Sequence, residues 1–336
     1  MNRRLFLLSA AALAGCAPTV QLAGSPGAGF AGPRLEADVF VSFDGARLGL
    51  TRWMTDGEPA VVVVALHGMN DYANAFHFAA PVWAGQGIAT YAFDQRGFGR
   101  SPQRGVWGGE ALMVEDLRVC VSLVRRRHPA AAVVVAGESM GGAVAIAAFA
   151  SDRPPAADRL VLMAPAVWGW SSQPLPYRTA LWFTAHLAGE TVLRPPGWVT
   201  DRVHPSDNYE ELVAMGRDPL MIWGARNDTL YGLVDLMQSA WAGIGRVSVP
   251  VGYFYGANDE VIPKKPSFEA AGRLKPTDRT AWYANGYHLL IRDHQRDRVI
   301  ADVAAFILDP KAPLPSGPPA IPAPPRRGAR RAISGL

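Results

Sequence analysis

Apolar positions along this chain alternate between two kinds of run. Unbroken stretches, such as Ala60 to Leu66 and Ala132-Val133-Val134-Val135-Ala136, contain no polar residue. They fit strands of a parallel sheet covered on both faces. Between them Met113, Leu117, Val121 and Val124 recur at helical spacing, which predicts an amphipathic helix over 111–127. Further strands are predicted over 88–93, 159–163, 248–255 and 280–283, and further helices over 73–86, 140–151 and 294–307. A hairpin about Asp44-Gly45 joins Asp38–Val41 to Leu48–Trp53. This rhythm predicts an α/β fold with a mostly parallel central sheet and helices on both faces.

The rhythm fails between about 166 and 240. A structureless loop of that length is implausible, so helical pieces inserted over the sheet are expected. The cap is placed at 166–225, with a scaffold helix from about 231. Trp168, Trp170, Trp182, Phe183 and Tyr231 carry two open readings there: they line an acyl pocket, or they hold the cap to the body. Outside the body of residues 36–309, the Gly/Ala/Pro-rich residues 16–35 read as a flexible tether. Residues 310–336 read as a Pro/Arg-rich disordered tail.

Charge changes little in this picture. The net charge is +4 over 336 residues, but two arginines near the start and five basic residues after 310 account for more than all of it. The body is mildly acidic and shows no basic stripe interleaved with aromatics, so a nucleic-acid partner is not expected. Met1 to Arg4 is a basic opening, and Leu5 to Ala14 is an apolar run too short to span a membrane. Leu13-Ala14-Gly15-Cys16 resembles the lipobox of bacterial lipoproteins. That resemblance implies a signal peptide over 1–15, lipidation of Cys16 and attachment to a membrane. With alanine rather than aspartate at 17, it implies the outer membrane, facing the periplasm. The alternative is an ordinary secretory signal with an incidental cysteine. If Cys16 is lipidated, Cys120 has no intrachain partner; it reads as a buried, inert thiol.

The chemistry centres on Gly137-Glu138-Ser139-Met140-Gly141, which follows a predicted strand and opens a predicted helix. In that context G-x-S-x-G reads as a nucleophile elbow. A serine hydroxyl needs a general base, and the base needs an orienting acid. Asp259 follows the strand ending near Tyr255, and His288 follows the strand ending at Tyr283. Both therefore reach the sheet edge that carries Ser139. Glu260, Asp293 and Asp228 are weaker rivals for the acid. His77, His128, His186, His204 and His294 lack a strand-end context. Strand 60–66 runs into His67-Gly68-Met69, whose Met69 amide pairs with the Met140 amide as a prospective oxyanion hole. His67 shapes that turn, and Asp94 and Arg96 brace the loop after strand 88–93. No phosphate loop occurs, and neither a cofactor nor a metal is called for.

Together these pieces resemble the monoacylglycerol lipase and lysophospholipase branch of the α/β-hydrolases, also called the serine aminopeptidase S33-like group. The matching segments are His67-Gly68-Met69, Asp94 to Ser101, Gly137 to Gly142, Asp259-Glu260-Val261-Ile262-Pro263 and His288. The resemblance implies an α/β-hydrolase fold with a short helical cap over residues 38–308. It implies Ser139 as nucleophile, Asp259 as acid, His288 as base, and the Met69 and Met140 amides as oxyanion donors. The substrate it suggests is a monoacyl lipid or other acyl ester. Alternatives are a small-molecule carboxylesterase or peptidase of the same fold, and a non-catalytic ligand-binding lipoprotein.

Overall fold

The computed structural model describes residues 17–197 and 202–323. Cys16, the expected signal peptide and the end of the tail lie outside the described residues. Among the described residues no helix is long and apolar enough to cross a membrane.

Among the described residues nine strands form one sheet: β1 (Arg34–Leu35), β2 (Val39–Val41), β3 (Arg47–Trp53), β4 (Val61–Leu66), β5 (Ile88–Phe93), β6 (Ala132–Glu138), β7 (Arg159–Met163), β10 (Val251–Gly256) and β11 (Arg279–Tyr283). Their order across the sheet is β1-β2-β3-β5-β4-β6-β7-β10-β11. From β5 to β11 every pairing is parallel, while β1, β2 and β3 join antiparallel at one end. All residues of β4, β5 and β10 are buried, as their predominantly apolar sequences require; Thr90 of β5 is buried with them. Helix α3 (Met140–Phe149) packs between α2 (Glu110–Arg127) and α6 (Asn227–Gly243). On another part of the sheet α1 (Ala79–Ala84) packs against α7 (Arg296–Leu308). Buried on both faces, the central strands carry no edge and need no polar residues until their C-terminal ends.

Two element boundaries shift for backbone reasons. The helix expected over 73–86 is a 3₁₀ turn, Ala73–Phe76, followed by the short α1. Pro81 has no N–H to donate to His77, so it is tolerated only in a first turn. The strand expected from 248 begins at Val251, because Pro250 cannot donate to a ladder; its carbonyl accepts from the Leu160 amide instead.

The cap leaves β7 and contains α4 (Leu175–Leu187), α5 (Tyr209–Arg217) and a small ladder between β8 (Val192–Leu193) and β9 (Ala225–Arg226). The return helix α6 starts at Asn227, earlier than the expected 231. Asp228 sits in its first turn, where the helix dipole favours a carboxylate, and pairs with Arg226 at 2.6 Å.

Both expected flexible flanks are corrected where they are described. In the tether, the Gln21 amide donates to Trp107 O and its side chain to Val106 O, both at 2.8 Å, while β1 adds to the sheet. In the tail, the Trp282 amide of edge strand β11 donates to Pro319 O at 2.8 Å. Leu314 and Ile321 are buried, and Ser316 bonds Asp302. An edge strand needs acceptors for its outward amides, and proline supplies a carbonyl as well as any residue does.

Candidate active site

β6 delivers Ser139 into a backbone conformation that L residues seldom adopt, φ 51° and ψ −117°. Such strain costs of order 1–3 kcal/mol and persists only where the surroundings enforce it. Here the Ser139 amide donates to Met163 O at 3.0 Å, and its carbonyl accepts from Ala166 at 2.9 Å, so the exit of β7 grips both sides. The flanking glycines are steric necessities. A Cβ on Gly141 would collide with the Leu66 carbonyl of β4, and one on Gly137 with the backbone of Gly141 and Gly142. The helix can therefore start directly beneath the serine.

The loops after β10 and β11 are stitched together. Ala257 N donates to Tyr283 O and Asn258 N to Gly286 O, each at 2.8 Å. This brings His288 Nδ1 to 2.9 Å from Asp259 Oδ2, with both side chains buried. The other carboxylate oxygen, Oδ1, accepts from the Val261 and Ile262 amides at 2.8 and 2.9 Å. Asp259 thus has one orientation, and so has the imidazole. Burial works to lower the His288 pKa, but the charge and hydrogen bond of Asp259, reinforced by Glu138, outweigh it and hold the pKa above its ordinary value. Among the described residues neither His288 Nε2 nor the Ser139 hydroxyl makes a hydrogen bond, so both are free to meet a substrate.

The turn after β4 lies against the elbow: a Cβ on Gly68 would stand 3.3 Å from Ser139 Cβ. Among the described residues the Met69 and Met140 amides have no acceptor, which leaves two donors beside the serine. His67 fixes this turn. Its Nδ1–H donates to Gly68 O at 2.7 Å and its Nε2 accepts from the Gln95 amide at 2.8 Å, a pattern that requires the neutral ring. Burial lowers the His67 pKa accordingly. Asp94 accepts from Ala73 and Arg100, and Arg96 pairs with Asp44 and Asp116, the bracing roles expected of them.

The rivals have other partners. Glu260 accepts from the His204 amide, and Asp228 is held by Arg226. Asp293 accepts from the Ser206 hydroxyl and the Tyr287 amide, both at 2.7 Å. Burial pushes the Asp293 carboxyl up to about 7. With the folded pKa above the unfolded one, near 3.8, the neutral form stabilises the fold fully below about 4, and that contribution is lost as pH rises through about 7. Asp293→Asn is therefore expected to raise the thermal midpoint by a few degrees at pH 8 and to change it little at about pH 4. Melting curves at the two pH values check this, and equal shifts at both would contradict it.

Burial also raises the pKa of Cys120, in keeping with an inert thiol. The expected pocket aromatics divide. Trp170, Trp182 and Tyr231, with Leu175, Arg178 and Thr179, line a cavity of about 520 Å³. None of Ser139, Asp259 and His288 lines it. Trp168 packs on the core instead, and Phe183 is half exposed, edge-on to Trp182. Trp170 and Tyr231 are in ring contact at 5.1 Å, and the Trp170 indole donates to Asp235 of α6, so part of this cluster does tie the cap to the body.

One group was missed by sequence reasoning. Arg292 is buried and pairs with Asp71 and Glu138, each at 2.7 Å. The signal for it was Glu138 itself, an acid inside a wholly apolar strand end that must find a cation.

The chain is 27% identical over 284 residues to a monoacylglycerol lipase of Mycolicibacterium smegmatis, covering 80% of this chain and 95% of that one. It is 24% identical to human monoglyceride lipase over 75% of this chain and 83% of the relative. In fold it matches a Bacillus coagulans carboxyl esterase solved with glycerol (TM-score 0.67, 20% identity, 80% and 96% covered). It also matches a Paleococcus ferrophilus monoacylglycerol lipase (TM-score 0.61, 21% identity, 78% and 98% covered). The family model described as serine aminopeptidase, S33 matches residues 57–295, a span that runs from the strand before the Met69 turn to beyond His288. On that match this chain belongs to the serine aminopeptidase S33 family of α/β-hydrolases.

Proposed function

We propose that this protein is a serine hydrolase that cleaves carboxylic esters of monoacyl lipids, monoacylglycerol or lysophospholipid, through an acyl-enzyme. The observation that carries this reading is the 2.9 Å His288–Asp259 hydrogen bond at the sheet edge where Ser139 sits on its elbow. Ser139 Oγ attacks the acyl carbon as its proton passes to His288 Nε2. Asp259 holds Nδ1–H and stabilises the imidazolium. The Met69 and Met140 amides receive the oxyanion, a contribution of several kcal/mol in other enzymes. Collapse breaks the bond to the alcohol, which leaves with the proton from His288. Water then gives its proton to His288 and attacks the acyl-enzyme, and Ser139 recovers its hydrogen as the acid departs.

The lipid preference is supported by the names of the relatives and by the apolar side chains that α4 exposes, Leu175, Trp182, Phe183 and Leu187. A lipid on Cys16 would hold the enzyme at the outer membrane, facing the periplasm, among such amphiphiles. The test is a panel of p-nitrophenyl esters from acetyl to palmitoyl, with monoacylglycerol beside them. Efficiency should rise with chain length and monoacylglycerol should be cleaved. Activity confined to acetyl esters removes the lipid part, and aminopeptidase activity without esterase activity replaces the reading with a peptidase. The intact mass of membrane-extracted protein decides the anchor: an unmodified Cys16 removes it.

The pH dependence follows from the base. Only neutral His288 accepts the serine proton, and its pKa is held above the usual value of about 6.5. Accordingly kcat/KM should rise with pH through a midpoint above about 6.5. A pH–rate profile checks this, and a midpoint near 5 would contradict the assignment.

A further inference from the structure

We propose that Arg292 is a positioning residue that keeps the oxyanion turn in register with the nucleophile elbow, by pairing with Asp71 and Glu138 at once. The inference rests on the hydrolase reading above. Arg292 lies four residues beyond His288 in the base loop, where its amide donates to Leu289 O at 2.8 Å. Its Nη1 donates to Asp71 Oδ2 and its Nη2 to Glu138 Oε2, both at 2.7 Å. Asp71 closes the oxyanion turn: its amide donates to Gly68 O and its Oδ1 accepts from the Tyr72 amide. Glu138 immediately precedes Ser139. A single planar guanidinium thus spans the loops that carry the base, the nucleophile and one oxyanion donor. Its fork fixes the angle between its two partners, which a point charge does not.

Stability alone does not account for this cluster. Burying ions is costly, and apolar side chains of similar volume often serve a core as well or better. Here the arrangement is also incomplete, since Arg292 Nε and Glu138 Oε1 are buried without partners. Burial leaves the Glu138 carboxyl with a raised pKa despite the neighbouring guanidinium. What the ions supply is direction. Met69 stands two residues before Asp71, and Met140 two residues after Glu138, so clamping the two acids sets the spacing of the two oxyanion amides. A misplacement of about 1 Å in such a site costs about a hundredfold in rate.

The experiment compares wild type, R292M, R292K and D71N by burst titration with a p-nitrophenyl ester, which counts competent sites, followed by steady-state kinetics per titrated site. R292M should lose about a hundredfold in kcat per site with KM within about threefold, because ground-state binding does not use the oxyanion hole. R292K, which keeps the charge but not the fork, should lose nearly as much as R292M, because one ammonium does not fix the angle between the two acids. D71N guards against an R292M that does not fold. Its single oxygen can satisfy Tyr72 or Arg292 but not both, so kcat per titrated site should fall about tenfold. A merely structural role would lower the number of titrated sites and leave kcat per site unchanged. That result in R292M or D71N overturns the inference while the hydrolase reading stands. A wild type with no burst and no turnover overturns both.

Discussion

Replacing Ser139 by alanine should lower kcat for ester hydrolysis by roughly 10⁶-fold, the scale of loss when a triad serine is removed elsewhere. The fold should be left intact, for two reasons visible at the elbow. The strain at φ 51° belongs to the backbone and to the grip of Met163 and Ala166, none of which involves the hydroxyl. The hydroxyl itself makes no hydrogen bond among the described residues, so its loss leaves no buried group unpaired. The melting temperature of Ser139→Ala should therefore match wild type, and labelling by a fluorophosphonate should vanish. Undiminished hydrolysis by this variant would remove Ser139 from the mechanism and the hydrolase proposal with it.

Asp259→Asn should reduce kcat by about 10⁴-fold with little change in KM. The reason is the tautomer. Oδ1 of Asp259 faces two amide donors, those of Val261 and Ile262. An asparagine must present its oxygen to them, which turns its NH₂ toward His288 Nδ1. That nitrogen then accepts rather than donates, the ring proton moves to Nε2, and the base can no longer take the serine proton. The variant should retain slow fluorophosphonate labelling, since the serine and the oxyanion amides are untouched. A kcat within tenfold of wild type would show that the acid lies elsewhere, although Glu260, Asp228 and Asp293 are each engaged by other groups.

How much of this was legible in the sequence follows the range of the forces involved. The strands β4, β5 and β6 were readable because a strand buried on both faces is apolar at nearly every position, Thr90 and the terminal Glu138 being the exceptions. The glycines at 137 and 141 were readable because no side chain fits where β6 turns into α3. The Asp259 and His288 loops could be located by their strand ends, though only the parallel neighbourhood of β10 and β11 sets the 2.9 Å contact. Local pattern failed at the flanks. Composition described residues 310–323 as unable to pack, yet an edge strand takes carbonyl acceptors from any chain that lies beside it.

By itself the sequence determined the α/β rhythm, the elbow, the turn at Met69 and the order of Ser139, Asp259 and His288 along strand ends. Each of these depends on periodicity or on sterics within a few residues. Only the tertiary structure decided where the terminal segments dock and which cap aromatics share a cavity. It alone decided that Arg292 reaches Glu138 and Asp71, which lie 154 and 221 residues away along the chain. A buried ion must find a counterion, but nothing in a linear pattern says which one the folded chain will bring to it.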